Sequence, residues 1–358
     1  MLQEILNERG IMPVWDESVS WEERRKEIIA MTEEYEYGSI PVKEDSVTFE
    51  EKFRFPFASG KCWLRRSEIT AHFGEESYTF KVQSFAPKDR GKVPFFVMVG
   101  GSDDLPSCMV PLEEIIERGF GLVVFNNQSL CIDWDMIKHF PDTHYTMGIY
   151  KYLFPDYVEG DPSYAHLAVW AWGASKALDY AATIPEFDME RAAVVGHSRL
   201  GKVALFAGMK DERFSFVIPN DSGCAGAALY RGCIGEDWPN VAETFPYWMG
   251  PNYGKYVGRI DEVPFDQHFL IAACAPRKVY VSAGSEDVWA DADSMFLSCV
   301  AASEVYEKLG LPGFISPDRL PEVGECFNEG SIGYHLRKGP HDMAREDWNR
   351  FMDFIEKN

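Results

Sequence analysis

The chain has 358 residues, 46% of them apolar, which is enough to fill a large core, and its formal net charge is −22. An acidic balance this strong argues against nucleic acid and anionic membranes as partners, because both attract a basic surface. Eight cysteines are scattered without a C-x-x-C pair, which reads as reduced, mostly buried thiols and not as a zinc site or disulfide framework. No basic segment followed by an apolar run is seen at the start, and no apolar stretch nears the ~18 residues of a membrane span, so a cytoplasmic location is expected.

Residues 1–45 are acidic and irregular, with a helix predicted from Trp21 to Tyr35, and read as an N-terminal extension packed on the core. Residues 46–358 read as one domain. Residues 46–90 alternate polar and apolar, as in Val47-Thr48-Phe49 and Ser77-Tyr78-Thr79-Phe80-Lys81-Val82, which predicts antiparallel hairpins. From residue 93, apolar runs at 93–99, 121–125, 192–195, 216–218, 279–283 and 332–336 alternate with helical stretches. Strands buried on both faces carry such runs, so a central, mostly parallel sheet flanked by helices in three layers is predicted. A helix is predicted over 162–183, capped by Asp161, with Pro162 in its first turn. Leu167, Trp170, Ala171, Ala174, Leu178 and Ala181 form its apolar stripe. Residues 225–265 are rich in Gly, Pro and aromatics and read as an irregular loop region over the sheet.

The segment Ala192-Ala193-Val194-Val195-Gly196-His197-Ser198-Arg199-Leu200-Gly201-Lys202 places a serine between an apolar strand and a helix. That is the nucleophile-elbow arrangement, in which a strained turn lifts the hydroxyl above the sheet. The following backbone N–H and the helix N-terminus can then face a developing oxyanion. The G-x-S-x-G pattern is only partly met, since Leu200 holds the second position and the glycine follows at Gly201. Helix capping is the competing reading of Ser198.

In this arrangement the acid and the histidine follow the serine. His341, in Gly339-Pro340-His341-Asp342, lies in a turn after the last strand and before a C-terminal helix, where a base can reach back over the sheet. His335 sits inside a strand and His268 on a helix, and both read as structural. Two places can supply the orienting acid: Glu286-Asp287 after the run at 279–283, and Asp221 after the run at 216–218. The residues alone do not rank them. Gly100-Gly101-Ser102, after the run at 93–99, suits a second oxyanion donor because glycine lets backbone approach closely, and Gly101 is the candidate.

Several segments together resemble carbohydrate esterase family 15, the glucuronoyl esterases. Gly196-His197-Ser198-Arg199-Leu200-Gly201-Lys202 resembles the family's G-x-S-R-x-G-K signature. Asn220-Asp221-Ser222-Gly223-Cys224-Ala225-Gly226-Ala227-Ala228, Asp266-Gln267-His268 with Ala275-Pro276-Arg277, Glu286-Asp287-Val288-Trp289-Ala290-Asp291, and Gly339-Pro340-His341-Asp342 resemble further family segments. The resemblance implies an α/β-hydrolase fold and hydrolysis of glucuronic acid esters, such as 4-O-methyl-glucuronoyl esters of xylan fragments. It implies Ser198 as nucleophile, His341 as base, Asp221 or Asp287 as acid, and an oxyanion role for the Arg199 guanidinium. It also implies sugar contacts from Lys202, Glu236 and Trp289. The family commonly has Glu where this chain has the shorter Asp221.

The expected reaction is two-step acyl transfer through an acyl-enzyme, without metal or cofactor. The rival readings are an acetyl-xylan or general carboxylesterase of the same fold, a carbohydrate-binding protein without turnover, and a serine peptidase of this fold, against which the Arg199/Lys202 pair beside the serine argues.

Overall fold

Successive side chains of a strand point to opposite faces, so a run that is apolar throughout needs cover on both sides. In the computed structural model, which describes residues 1–100, 109–133, 148–156 and 165–358, the runs get that cover. On β4 (Val93–Val99), Phe95, Val97 and Val99 enter one core while Phe96 and Met98 enter another. β5 (Gly121–Phe125) and β6 (Phe187–His197) split in the same way. The first core is closed by helices His166–Ala181, Arg199–Lys210, His268–Ala272 and Ala292–Lys308. The second is closed by helices Leu112–Glu117 and Arg345–Lys357.

Among the described residues ten strands form one sheet, in the spatial order Ser46–Phe57 (β1), Cys62–Phe73 (β2), Glu76–Pro87 (β3), β5, β4, β6, Phe216–Asn220 (β7), Lys278–Gly284 (β8), Ile332–Arg337 (β10) and Cys326–Phe327 (β9). Its parallel centre runs from β5 through β4, β6, β7 and β8 to β10. The predicted hairpins are β1, β2 and β3, an antiparallel meander joined to β5. The short β9 pairs antiparallel with β10. This is the α/β-hydrolase architecture, with helices on both faces of a mostly parallel sheet.

The N-terminal segment packs on the first core through Leu2, Leu6, Val14, Ile28 and Tyr37. Its second helix covers Trp21–Thr32, opened by a Ser20–Glu23 capping box, and then widens into a π-turn over Glu33–Tyr37. The helix predicted from 162 begins instead at His166, because Ala165 stands at φ 48 and breaks the helical path. Asp161 and Pro162 lie outside the described residues. All six predicted stripe residues of this helix are buried. Residues 225–265 hold one short helix, Trp238–Thr244, among 3₁₀ turns, pinned by the stacked pairs Trp238–Tyr253 and Phe245–Trp248. The seven described cysteines are unpaired thiols, and Cys108 lies outside the described residues.

Parallel strands all deliver their C-terminal ends to one side of the sheet. β6 leads to Ser198, β7 to Asp221, β8 to Asp287 and β10 to His341.

Candidate active site

Ser198 follows β6 directly and stands at φ 58, ψ −130, a conformation strained for any residue with a Cβ. The turn is held from both sides. Ser198 N–H donates to the Asn220 carbonyl on β7 at 2.9 Å, and its own carbonyl accepts from Gly201 N at 2.8 Å and Lys202 N at 3.2 Å. Its hydroxyl makes no capping bond to the helix Arg199–Lys210, so capping does not account for the serine. The displaced glycine also has a reason. A Cβ on Gly196 would lie 2.0 Å from the Leu200 carbonyl oxygen, and one on Gly201 would lie 2.8 Å from the Asn220 carbonyl oxygen. Here the helix meets the strand at the third residue after the serine, so the glycine is needed there. Gly100 packs on the same elbow, where a Cβ would strike the Leu200 side chain at 2.1 Å. Gly101, the candidate donor, lies outside the described residues.

His341 sits in the loop after β10, partly open to solvent, and its Nδ1 meets Asp287 Oδ2 at 2.5 Å. The other Asp287 oxygen accepts from Ala290 N at 3.1 Å. Burial works against the imidazolium, but the Asp287 hydrogen bond and the charges of Asp287 and Asp221 outweigh it and hold the His341 pKa above 6.5. Burial also works against the Asp287 carboxylate, and the bond from His341 outweighs it, keeping Asp287 below the usual range. The acid and base loops are laced together by Ser285 N to Arg337 O and Glu286 N to Gly339 O, each 2.9 Å. Glu286 itself is exposed.

Asp221 is closer to the protein's interior and makes different contacts. Its Oδ1 accepts from Gly284 N at 2.7 Å and its Oδ2 from Arg337 Nη2 at 3.1 Å. Burial pushes its pKa up to about 7, against the pull of the Gly284 amide and Arg337. Donor atoms of Asp221, Asp287 and His341 all lie within 4.8 Å of one another. Between the two candidate acids, then, the direct partner of the imidazole is Asp287.

Arg199 is anchored through its Nε to Asp133, a buried carboxylate whose other oxygen accepts from Trp248 Nε1 at 3.1 Å. Lys202 is buried, and its three protons meet three acceptors: Ser222 O at 2.8 Å, Cys224 O at 2.5 Å and Glu236 Oε2 at 2.7 Å. It therefore fixes Glu236 and the loop after β7. Trp289 is 53% exposed, so its ring is a surface feature and not core. Ser198, Arg199, Lys202, Glu236, Trp289 and His341 all line one cavity of about 280 Å³, with the Phe245–Trp248 stack along its wall.

A family model described as glucuronyl esterase, fungi, matches residues 69–310. The chain belongs to the glucuronyl esterase family. A carbohydrate esterase from an unknown prokaryotic organism is 30% identical, aligned over 94% of this chain and 84% of that protein. The 4-O-methyl-glucuronoyl methylesterase of Schizophyllum commune is 28% identical over 82% of this chain and 70% of its own length. The structure of a glucuronoyl esterase from Solibacter usitatus superposes with a TM-score of 0.83 at 30% identity, covering 96% of this chain and 94% of that one. Family membership makes the protein a carboxylic ester hydrolase.

Within this family site, three residues escaped sequence reasoning. Asp133 is 66 positions from Arg199, and nothing local marks it as a partner. Arg337 closes an apolar strand just before the histidine loop, and a charge at that place was the available signal. Asn220 accepts from His197 Nδ1 at 2.6 Å while its amide donates to Ser282 Oγ at 2.8 Å, which sets the proton on that ring nitrogen. The His197 ring lies 4.5 Å from the His341 ring, and burial and the charge of His341 push its pKa down to about 4. His335 and His268 are buried, bonded to Asp347 and to the Met12 carbonyl respectively.

Proposed function

We propose that this esterase cleaves esters of glucuronic acid, with Ser198 as nucleophile, His341 as base and Asp287 as the acid that orients it. The single observation that carries the reading is the 2.5 Å contact between His341 Nδ1 and Asp287, at the rim of the cavity that Ser198 lines. With Nδ1 engaged, Nε2 is the ring nitrogen left to take the Ser198 proton.

In the first step Ser198 Oγ attacks the ester carbonyl as His341 accepts its proton. The oxyanion forms beside the backbone amide of Arg199, at the N-terminus of the helix Arg199–Lys210, and beside the Arg199 guanidinium. His341 then protonates the leaving alcohol, and water releases the uronic acid by the same route. Glu236, held by Lys202, offers a carboxylate to sugar hydroxyls, and the open Trp289 ring offers a face for the pyranose. The names of the relatives support a uronate as the acyl half.

The test compares kcat/KM on a methyl glucuronate ester with that on an aryl acetate. Preference for the uronate is the expected result. Preference for the acetate would transfer the site to the deacetylase reading.

A further inference from the structure

We infer that Arg337 is a positioning residue for the base: it pins the two carbonyls flanking His341 and engages Asp221, leaving Asp287 alone to orient the imidazole. This rests on the triad proposed above.

Arg337 is the last residue of β10 and is 3% exposed. A guanidinium buried this deeply is tolerated only when its donors are matched by acceptors. The acceptors here come from four places around the site. Nε donates to Asp347 Oδ2 at 2.9 Å. Nη2 shares its two protons among Asp221 Oδ2 at 3.1 Å, Pro340 O at 2.9 Å and Asp342 O. Pro340 and Asp342 are the residues on either side of His341. One planar group thus holds the main chain of the base from beneath.

The anchor is itself held. Asp347 also bonds His335 Nε2 at 2.8 Å and accepts from Ala344 N at 2.6 Å, which ties the C-terminal helix to the strand. The end of β8 also presses on this loop, since a Cβ on Gly284 would lie 2.6 Å from the Pro340 carbonyl oxygen. Both Asp221 oxygens are occupied, one by Gly284 N and one by Arg337, although the carboxylate lies within 4.8 Å of its Asp287 and His341 counterparts. Removing the guanidinium frees the base loop to move and releases one Asp221 oxygen toward the imidazole.

Arg337→Met, made alone and with Asp287→Asn, tests this on a glucuronate ester. Arg337→Met is expected to lower kcat about 10²-fold, the scale of a small misplacement of a catalytic group, with KM within about threefold. Assayed on the alkaline side of neutral, where Asp221 is ionised without Arg337, Asp287→Asn is expected to cost at least about tenfold less in that background than in the wild type, because released Asp221 takes over part of its work. A folded Arg337→Met with wild-type kcat, or an equal cost of Asp287→Asn in both backgrounds, overturns the inference. Should Arg337→Met not fold, Arg337→Lys carries the test: it keeps the charge but not the fork. It is expected to lose about tenfold in kcat at unchanged KM, and wild-type kcat overturns the inference. Ser198→Ala and His341→Ala are assayed alongside. Activity surviving in them condemns the triad itself, whereas their inactivity beside a normal Arg337 variant condemns only the role of Arg337.

Discussion

Asp287 and Asp221 end adjacent parallel strands on the same side of the sheet, and both are buried, yet they sit in opposite electrostatic states. Asp287 meets an imidazole and is held below the usual carboxylate range despite burial, whereas burial carries Asp221 up to about 7 despite Arg337 and the Gly284 amide. The difference teaches that position in the fold offers two acid sites and that partners select between them. Arg337 and the Gly284 amide occupy Asp221, and the imidazole is left to Asp287.

The largest expected effect sets the scale for this comparison. Ser198→Ala and His341→Ala should each lower kcat by roughly 10⁴-fold or more, read by steady-state hydrolysis of a glucuronate ester. If either variant keeps substantial turnover, neither carboxylate is serving a triad. A second test asks whether selection by partners extends to Arg199. Arg199→Met should cost about 10²-fold in kcat as an oxyanion donor, and Asp133→Asn, which loosens the guanidinium while an amide oxygen can still accept from Trp248, about tenfold. An Asp133→Asn variant as impaired as Arg199→Met would mean that the anchor, not the guanidinium's aim, carries the effect. The smallest effect lies at the open rim. Trp289→Ala should raise KM by about tenfold or less, the worth of one aromatic contact, with kcat nearly unchanged. A fall in kcat without a change in KM would place Trp289 in the chemistry.

Much of this arrangement was legible in the sequence. The apolar runs became the parallel strands because burial on both faces leaves no room for polar positions, as in Phe95 through Val99. The elbow was legible although its glycine is displaced, because Gly196 and Gly201 meet the strand-to-helix crossing at the two places where backbone presses closest. The choice of acid was not legible. The contacts that hold Asp221 come from Arg337, 116 positions away, and from a backbone amide, and neither leaves a local pattern. The start of the helix at His166 was missed for a related reason. The capping signal at Asp161 and Pro162 is local chemistry, while the break at Ala165 is a backbone conformation that composition does not announce.

The most direct measurement is kcat/KM against pH on a glucuronate ester for the wild type, Asp287→Asn and Asp221→Asn. His341 serves as base only when neutral, and its raised pKa places the acid limb of the wild-type profile above pH 6.5. Asp287→Asn is predicted to lose about 10³–10⁴-fold and to move that limb to lower pH, because it removes the largest interaction favouring the imidazolium. Asp221→Asn is predicted to stay within about tenfold of the wild type with a smaller shift in the same direction. The opposite ranking, with Asp221→Asn the crippled enzyme, would contradict the account.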